Sequence, residues 1–491
     1  MNLKTSRKLQ LFIDGKYTPA THSESFSVIS PVNGQEYALV SKAGTEDVDR
    51  AADAAHRAFR GSWPRMLPFD RGRILHEIAD GIRQRQEEIA TAETMSGGKT
   101  ISNSLNEVSA AARVFEYYAG AMDKYFGTTI PMGENLMDFT LREPVGVVAQ
   151  ITPWNFPFLA AAWKVAPALA SGCTVILKPA SNTPVTSLLL AEISQDIDLP
   201  PGVLNVLPGP GGALGDHIAT HPLINKIAFT GEGRTGAALV KAAANDIKRV
   251  SLELGGKSPN IIFSDANLEK AGLAAVSAAF GNAGQSCSAR TRILVETKVH
   301  DEIIEIMLAG LKNFQIGDPM EPSTDMGPMV SGTQWQNVKD YISIGLNEGA
   351  SLVCGGDRPA DFPEGYYFDP TIFKNVHNTM RIAQEEIFGP VVVIIPFDEE
   401  SEAIALANDS PYGLNASVWT RDVNRALRIV RDLESGMVSV NSHGSASRYS
   451  TFTPFGGVKK SGIGRELGME ALNLYTEAKN VIIDISDTTT E

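Results

Sequence analysis

The stretch VGVVAQI at residues 145–151 opens the series of segments that decides the fold. It is a short apolar run rich in valine, which is typical of a strand that is buried on both faces of a parallel sheet. Segments of helical length, such as WKVAPALASG, separate it from four further runs of this kind. These runs are TVILKP at 174–179, VLNVLPG at 203–209, KIAFTG at 226–231 and RVSLEL at 249–254. Strands that alternate with helices predict βαβ units and a parallel sheet.

A second series of strand-like runs begins near residue 260. Its members are NIIFSDA at 260–266, RTRILVET at 290–297, VVVIIPF at 391–397, ASVWTR at 416–421 and MVSVN at 437–441. An amphipathic helical pattern lies between them, with Ile303, Met307 and Leu311 on its apolar side. We therefore predict an α/β fold with two parallel-sheet domains joined near residue 255. The stretch 126–144 and the tail after about residue 470 fit neither series.

The composition limits the class of protein. The 491 residues suffice for roughly three domains. A hydrophobic share of 43% is ordinary for a globular protein, and the net charge of −14 argues against nucleic acid or an anionic membrane as the main partner. Three cysteines cannot form a disulfide framework, which favours the cytoplasm, a reducing compartment. The apolar runs are too short to cross a bilayer, and the N-terminus has no signal-peptide pattern.

The loop GEGRTG at 231–236 matches the G-x-G-x-x-G pattern. It follows a strand-like run and precedes a helical one, so its glycines allow the backbone to approach a pyrophosphate at a helix N-terminus. Glu253 follows Gly231 by about 20 residues, the spacing of a ribose-binding carboxylate. However, the loop belongs to the fourth strand–helix unit, whereas a standard Rossmann domain has it in the first. We expect a phosphate or nucleotide site, with an ordinary turn as the alternative, and no ribose role for Glu253.

Cys287 is the candidate nucleophile of the chain. It lies in FGNAGQSCSAR, where glycine and serine neighbours leave a thiol accessible to a substrate. A free cysteine is more often a small buried hydrophobe, and we interpret Cys173 and Cys354 in this way. None of the eight histidines has a context that suggests a papain-like partner, and we expect no metal site.

Three polar residues in apolar settings are further candidates. In LELGGKSPN, Glu253 would have a pKa raised by desolvation and would act as a general base, unless it is a surface residue of an edge strand. In TPWNFPF, Asn155 would donate to an oxyanion, or it would satisfy a turn. Lys178 ends a strand-like run and would reach a cofactor hydroxyl or phosphate, or it is a solvated strand end.

Together these segments resemble the NAD(P)-dependent aldehyde dehydrogenase superfamily, and the likeness runs from LFIDGKY near residue 11 to YTEAKNV near residue 481. The matching segments are PWNFP, LKPA, FTG, LELGGKSP, GQSC, EEIFGP and PFGGVKKSGIGRELG. The resemblance implies oxidation of an aldehyde to a carboxylic acid, with NADP or NAD as cofactor, through a thiohemiacetal and a thioester on the cysteine. It further implies hydrolysis of the thioester by water that a glutamate activates.

The resemblance also implies a division of the chain. Residues 1–125 and 145–254 would form a Rossmann-like dinucleotide-binding domain, and residues 255–469 a catalytic domain that carries the nucleophilic cysteine. Residues 126–144 and 470–491 would form a small β arm for oligomerisation. A homodimer or a homotetramer is then expected.

Roles for individual residues follow from the same resemblance. Cys287 would be the nucleophile, Glu253 the general base and Asn155 the oxyanion donor, with Lys164 and Glu466 supporting proton transfer. The residues expected to bind the cofactor are Ile151, Trp154, Lys178, Ser181, Gly211, Gly215, Phe229, Thr230, Gly231, Leu254, Glu386 and Phe388. The residues expected to bind the aldehyde are Phe156, Ala160, Trp163, Arg448, Tyr449 and Phe455.

Two departures from the family pattern concern the cofactor. NAD-preferring relatives often have a glutamate, which binds the adenosine 2′-hydroxyl, where Ser181 stands. A glutamate would repel a 2′-phosphate, whereas Ser181 would not and Lys178 would attract it, so we predict that NADP is accepted. Glu232 stands where many relatives have serine, and we expect its carboxylate to turn away from the pyrophosphate toward Arg234.

The substrate mouth gives a less specific prediction. The small side chain of Ala160 would admit a bulky or aromatic aldehyde. Arg448 would anchor a distal carboxylate, as in a semialdehyde acid, unless it is a solvated loop charge. Phe455 replaces the tryptophan expected in betaine-aldehyde enzymes and Phe156 stands in place of tyrosine, so a quaternary-ammonium aldehyde is disfavoured.

Three rival functions stay open at this point. A CoA-acylating member of the superfamily would transfer the acyl group to CoA, but such enzymes usually lack the base expected at Glu253. A chain that has lost its activity and serves as a binding protein fits poorly with intact Cys287 and Asn155. A cysteine hydrolase would need a histidine partner and no nucleotide loop.

Overall fold

The computed structural model of the chain describes residues 9–442 and 450–486. The helices are α1 Thr45–Arg60, α2 Pro68–Gln84, α3 Gln86–Gly97, α4 Ile101–Ala119, α5 Pro157–Ala170, α6 Val185–Asp196, α7 Gly212–Thr220, α8 Gly233–Ala243, α9 Leu268–Phe280, α10 His300–Lys312, α11 Gly332–Asn347, α12 Arg381–Gln384, α13 Glu400–Asn408, α14 Val423–Asp432 and α15 Leu472–Tyr475. The strands are β1 Leu11–Ile13, β2 Lys16–Thr18, β3 Ser25–Ile29, β4 Glu36–Ser41, β5 Thr129–Pro131, β6 Leu136–Pro144, β7 Val147–Ile151, β8 Thr174–Lys178, β9 Leu204–Val206, β10 Lys226–Thr230, β11 Arg249–Glu253, β12 Pro259–Ile262, β13 Arg292–Glu296, β14 Ser351–Cys354, β15 Thr371–Lys374, β16 Val391–Phe397, β17 Tyr412–Gly413, β18 Asn415–Trp419, β19 Met437–Val440, β20 Val458–Lys459, β21 Gly462–Ile463 and β22 Thr476–Asp484.

The first large sheet contains all five strands that were predicted between residues 145 and 254. Its strand order is β2-β1-β9-β8-β7-β10-β11-β21, and the five central strands β9, β8, β7, β10 and β11 run parallel. Strands β7 and β8 are buried along their whole length, as their continuous apolar sequences predict. The chain goes from β7 to β8 and β9 on one side and returns to β10 and β11 on the other. The carboxyl ends of β7 and β10 therefore form a topological switch point, where ligands bind in open α/β sheets.

The second large sheet contains the second predicted series. Its order is β14-β15-β16-β13-β12-β18-β19, and every pair except β14 with β15 is parallel. Its strands pack with α9, α10 and α11 into a hydrophobic core of their own, in which Ile303 and Met307 are fully buried. The prediction of an α/β fold with two parallel-sheet units is confirmed.

A small antiparallel sheet accounts for the two segments that fit neither series. It has the order β22-β6-β5, and β22 pairs with β6 along nine residues, from Thr476 opposite Pro144 to Asp484 opposite Leu136. Its sequence neighbours β7 and α15 anchor it to the first sheet and to α5. The small β arm expected from the resemblance is therefore present.

Several short strands were not predicted from the sequence. The hairpin of β1 and β2 adds to the edge of the first sheet, and β21 pairs antiparallel with β11 at the other edge. Gly462 and Ile463 of β21 thus belong to the first sheet, although they lie within the range 255–469 that we assigned to the catalytic domain. Within residues 9–442 and 450–486, no helix combines the length and the apolar character that a membrane span requires.

Candidate active site

A cavity of about 1140 Å³ opens at the carboxyl ends of the first sheet. Ile151, Lys178, Thr230 and Glu253, the last residues of β7, β8, β10 and β11, all line it. The opposite wall comes from the segment around Cys287 and from residues 386–388, which belong to the second unit. The cavity therefore lies between the two large sheets and at the switch point of the first one.

Cys287 lies in this cavity and is half-buried. Burial, together with the nearby carboxylates of Glu386 and Glu253, raises the pKa of its thiol to about 12. The two flanking serines, Ser286 and Ser288, contact each other through their hydroxyls at 3.3 Å. The thiol must therefore lose its proton before its sulfur can attack a carbonyl.

The backbone just before Cys287 is left-handed over three consecutive residues. Asn282 and Ala283 each have φ near 53°, and Gly284 has φ 68°. Only glycine, and to a lesser extent asparagine, adopts this conformation without a steric penalty of about 1–2 kcal/mol. A Cβ on Gly284 would in addition lie 2.1 Å from the carbonyl oxygen of Gly389. The loop that carries the thiol is therefore strained and closely packed.

Hydrogen bonds from two amide side chains hold this loop in place. Asn282 Nδ2 donates to the backbone carbonyls of Asn155 and Gln285, each at 3.3 Å. The side chain of Gln285 donates from Nε2 to the Asn282 carbonyl at 3.1 Å and accepts from the Val330 N–H at 2.9 Å. Sequence analysis did not single out Asn282 or Gln285. An asparagine next to glycine was the available signal, because asparagine tolerates φ > 0.

Asn155 is brought to the same loop from the end of β7. Its side chain is buried, and Nδ2 donates to the Gln285 carbonyl at 3.0 Å. An amide nitrogen carries two hydrogens, so this bond commits one of them. Asn155 and Cys287 both line the cavity. When a carbonyl carbon bonds to the sulfur of Cys287, the second hydrogen of Asn155 Nδ2 is available to bond to its oxygen.

Glu253 is the last residue of β11 and is 4% exposed. Strand β11 lies between β10 and β21, so the alternative of an exposed glutamate on an edge strand is wrong. Burial raises the pKa of the Glu253 carboxyl well above its usual value, and the neighbouring carboxylate of Glu466 raises it further. Its Oε2 atom has no hydrogen-bond partner in the structure. A buried carboxyl with a free oxygen is what a general base requires.

Lys164 and Glu466 form a buried ion pair next to Glu253. Nζ of Lys164 donates to Oε1 of Glu466, and the side chains are 0% and 5% exposed. The charge of Lys164 lowers the pKa of Glu253, which opposes the effect of Glu466. Glu466 lines the cavity, whereas Lys164 contacts it only through this pair. The three residues that the resemblance connected with proton transfer are therefore together.

All residues expected to bind the cofactor line the cavity. They are Ile151, Trp154, Lys178, Ser181, Gly211, Gly215, Phe229, Thr230, Gly231, Leu254, Glu386 and Phe388. A Cβ at Gly211, Gly215 or Gly233 would meet no atom within 4 Å, so these helix starts face open space. The buried hydroxyls of Thr152 and Thr230 line the cavity and have no hydrogen-bond partner. This end of the cavity thus has room, helix N-termini and unpaired hydroxyls for a nucleotide.

Lys178 and Ser181 lie at this end of the cavity. Burial lowers the pKa of the Lys178 ammonium to about 8, and its Nζ donates to the Pro179 carbonyl at 3.0 Å. The hydroxyl of Ser181 donates to the Gly209 carbonyl at 3.2 Å. Nε of Arg234 donates to Glu232 at 2.6 Å, so this carboxylate turns toward Arg234, and both residues line the cavity.

Glu386 and Phe388 form the wall between the thiol and the nucleotide end. Oε1 of Glu386 accepts from the Gly256 N–H at 3.0 Å, and burial raises the pKa of this carboxyl to about 7. Phe388 has φ 57°, a strained value for a non-glycine residue, and its ring meets the edge of Trp154 with centroids 5.1 Å apart. Such strain commonly occurs at ligand-binding sites.

The expected substrate residues are described only in part. Phe156, Ala160, Trp163 and Phe455 line the cavity, and the rings of Trp163 and Phe455 lie 4.9 Å apart. Arg448, Tyr449 and the other residues of 443–449 lie outside the described residues. The described part of this wall is apolar and aromatic.

A buried charged cluster beside this wall was missed in the sequence, and one of its members, Glu107, lines the cavity. Lys99 is 2% exposed, donates to the carboxylate of Glu107, and lies 3.5 Å from Glu93 and 4.7 Å from the ring centroid of Phe156. Oε1 of Glu93 accepts from the Phe158 N–H in the first turn of α5. The cluster thus fixes the start of the helix that carries Ala160, Trp163 and Lys164. No local pattern marks it, because its members come from three helices and a loop.

Comparisons with known proteins point to one family. The aldehyde dehydrogenase family model matches residues 17–481. The betaine aldehyde dehydrogenase of Bacillus subtilis is 43% identical over 479 residues, 96% of each chain, and the human mitochondrial aldehyde dehydrogenase is 42% identical over 97% of this chain and 92% of that one.

Solved structures give the same result. An NAD-dependent aldehyde dehydrogenase from Sinorhizobium meliloti superposes with a TM-score of 0.96 at 39% identity, over 99% of this chain and 96% of that chain. A betaine aldehyde dehydrogenase from Staphylococcus aureus, solved in complex with NAD+, superposes with a TM-score of 0.95 at 38% identity, over 98% and 96%.

Proposed function

This chain belongs to the aldehyde dehydrogenase family and oxidises aldehydes, and on that premise we propose that it releases the acid by hydrolysis of a thioester on Cys287. One observation carries the hydrolytic step. The buried carboxyl of Glu253 lines the same cavity as the thiol and has an oxygen without a hydrogen-bond partner. That oxygen is available to a water molecule.

In the first half of the reaction, the thiol of Cys287 loses its proton to water in the cavity and its sulfur bonds to the aldehyde carbon. The carbonyl oxygen becomes an oxyanion, which the second N–H of Asn155 and the backbone N–H of Cys287 would stabilise. One donor of this kind contributes about 3–4 kcal/mol to a transition state. The nicotinamide of the bound cofactor supplies the acceptor for the hydride that leaves this adduct as the thioester forms.

In the second half, Glu253 takes a proton from water, and the resulting hydroxide attacks the thioester carbon. The carbon–sulfur bond then breaks, which releases the carboxylic acid and returns the sulfur of Cys287 as a thiolate. The raised pKa makes Glu253 a stronger base than an exposed carboxylate. The Lys164–Glu466 pair adjusts that pKa in both directions and would pass the proton away from the cavity.

The cofactor would lie along the cavity from Glu386 and Phe388 to the starts of α7 and α8. NAD+ is present in a solved relative, and we propose that this chain also accepts NADP+. Ser181 offers a 2′-phosphate a hydroxyl and no charge, and the ammonium of Lys178 ends the neighbouring strand β8. A phosphate would form a charge-assisted hydrogen bond with such an ammonium.

The substrate would be an aldehyde with an apolar body. The described wall of Phe156, Ala160, Trp163 and Phe455 offers aromatic surface and, at Ala160, space for a bulky group. The aromatic wall supports an aliphatic or aromatic aldehyde more directly than a charged one. A carboxylated aldehyde would depend on Arg448.

A single assay tests this function. Purified protein is given a panel of aliphatic, aromatic and carboxylated aldehydes with NAD+ or NADP+, with and without CoA, while the absorbance of the reduced cofactor is recorded. We expect turnover without CoA and a free acid as the product. A strict requirement for CoA would show the acylating activity, and acid released without reduced cofactor would show a cysteine hydrolase. If no aldehyde reacts, the remaining alternative is a binding protein without activity.

We further propose that the small β arm joins two or more copies of this chain. Its strands and their flanks expose a row of large apolar side chains, which a monomer in water would leave unburied. They are Phe126, Ile130, Met132, Met137, Leu141, Ile482, Ile483 and Ile485. A homodimer or homotetramer measured by light scattering, and a monomer after replacement of Ile482 and Ile483 by aspartate, would support this role.

The proposal also covers the domains of the chain and the cellular compartment of the protein. Residues 1–125 and 145–254 would bind the dinucleotide and residues 255–469 would carry the nucleophile, with β21 contributed to the first sheet. The three cysteines are free in the structure, which supports the cytoplasm as the compartment.

A further inference from the structure

Two histidines and an aspartate converge on one point outside the catalytic cavity. His217 lies in the last turn of α7, His221 directly follows the end of that helix, and Asp49 lies on α1, which packs against α7. Oδ1 of Asp49 is 2.6 Å from Nε2 of His217 and 3.3 Å from Nε2 of His221. One ligand atom from each residue lies within 4.8 Å of the other two. This juxtaposition has no part in the chemistry described above.

We propose that Asp49, His217 and His221 bind one divalent transition-metal ion of the Zn²⁺ class. Ligand atoms at about 2.0–2.2 Å from a tetrahedral zinc ion stand roughly 3.3–3.5 Å apart. The distance from Oδ1 of Asp49 to Nε2 of His221 already has this value. The shorter distance to His217 would lengthen by under about 1 Å, which the partly exposed His217 and Asp49 side chains permit.

The donor set selects the class of metal. Two imidazole nitrogens and one carboxylate oxygen suit zinc, nickel and copper, whereas calcium and magnesium prefer oxygen ligands throughout. The Nε2 atoms of His217 and His221 both point toward the same oxygen of Asp49. Water would fill the fourth position, because Asp49 lies at the surface.

The surroundings both favour and oppose a cation. The negative charge of Asp53 favours it, and the ammonium of Lys248 opposes it, although Lys248 is also paired with Asp246 at 3.1 Å. Nδ1 of His221 accepts the Leu223 N–H at 3.2 Å. A metal on Nε2 would place the proton of His221 on Nδ1, so binding exchanges this long hydrogen bond for a metal–nitrogen bond.

The consequence concerns the nucleotide end of the cavity. Helix α7 begins with the glycines that face the cavity, and the candidate ligands occupy its other end. A metal that joins α7 to α1 would hold this wall in place. Because the unfolded chain cannot hold the three groups together, binding would stabilise the folded protein in proportion to ligand concentration.

The experiment is a calorimetric titration of the full-length, metal-stripped enzyme with Zn²⁺. The variants are H217A, H217Q, which keeps a polar contact to Asp49, and D49N. The matched control is H76A, because His76 is exposed on α2 and has no part in the cluster. Zn²⁺ bound by Cys287 is common to all variants, so the informative quantity is the difference from the wild type. Parallel titrations use Mg²⁺, and thermal melts are recorded with and without Zn²⁺.

We expect the wild type and H76A to bind one more equivalent of Zn²⁺ than H217A, H217Q and D49N, or to bind it at least about tenfold more tightly, since one ligand of three is lost. We also expect Zn²⁺ to raise the melting temperature of the wild type more than that of H217Q, and Mg²⁺ to have no effect. Equal stoichiometry and affinity in the wild type and the two His217 variants would overturn the proposal. Loss of binding in H76A, or equal binding of Mg²⁺, would overturn it as well.

Discussion

The two ends of the catalytic cavity are built from different kinds of structure. The nucleotide end consists mainly of backbone, with strand ends and the glycine-rich starts of α7 and α8 close to one another in the sequence. The chemical end consists of side chains that arrive from β7, β11, the loop before β13 and the segment before α15. Backbone tolerates most substitutions, whereas a buried side chain with a specific partner does not. Single substitutions should therefore have large effects at the chemical end and modest effects at the nucleotide end.

The largest effect is expected for C287A. Without the sulfur no thioester forms, and turnover should fall by ~10⁴-fold or more, as for other covalent nucleophiles. Steady-state rates with the best aldehyde of the panel measure this. C354A is the matched control, because Cys354 is a half-buried thiol outside the cavity, and it should keep the wild-type rate. A C287A enzyme that keeps the wild-type turnover rate would contradict the role of Cys287 as the nucleophile.

The next largest effect is expected for N155A. Loss of one oxyanion donor lowers kcat by about 10²–10³-fold and leaves ground-state binding of the cofactor nearly unchanged. Asn155→Asp keeps the shape but replaces the N–H donor with an acceptor, so it should lose as much. Separate measurements of kcat and of the dissociation constant of NAD+ check this prediction. If N155A kept most of its kcat, the bond from Asn155 to Gln285 would be purely structural.

Asn282 tests whether the strained loop positions the thiol. N282A removes the hydrogen bonds of the side-chain amide and places alanine at φ near 53°. The resulting strain of about 1–2 kcal/mol should lower kcat/KM about tenfold. N282G removes only the side-chain hydrogen bonds and should lose less of its kcat/KM. The control A283G relieves strain at the neighbouring residue without removing a side-chain hydrogen bond, and it should keep the activity. Equal rates for N282A and the wild type would contradict a positioning role.

A smaller, selective effect is expected for S181E at the nucleotide end. The new carboxylate would repel a 2′-phosphate, so KM for NADP+ should rise about tenfold, which corresponds to 1.4 kcal/mol, while KM for NAD+ does not rise. S181Q, which has the same size but no charge, should change both KM values equally. An unchanged KM for NADP+ in S181E would refute the assignment of Ser181.

The same contrast explains what could be read from the sequence. All ten strand-like runs are strands, because continuous apolar sequences bounded by turns are typical of buried parallel strands. The raised pKa of Glu253 follows from its position at an apolar strand end. The strands β1, β2, β14, β15 and β21 of the two large sheets were missed, since each has only two to four residues.

The parts of the site that were missed depend on contacts between distant segments. Asn282 and Asn155 are neighbours only because two sheets meet at the cavity. Lys99 pairs with Glu93 of α3 and Glu107 of α4, and none of the three charges has a local pattern that predicts burial. The cluster of Asp49, His217 and His221 likewise forms only when α1 packs against α7, so we expected no metal site from the sequence.

The most direct test of the account is a rapid-mixing experiment on E253Q with saturating aldehyde and NAD+. Glutamine keeps the size of the side chain but accepts no proton from water. We expect an initial burst of reduced cofactor close to one equivalent per site, followed by a steady-state rate at least about 10²-fold below the wild type, because a general base contributes 10²–10⁴-fold. Full steady-state turnover by E253Q, with the acid released at the wild-type rate, would contradict hydrolysis through Glu253.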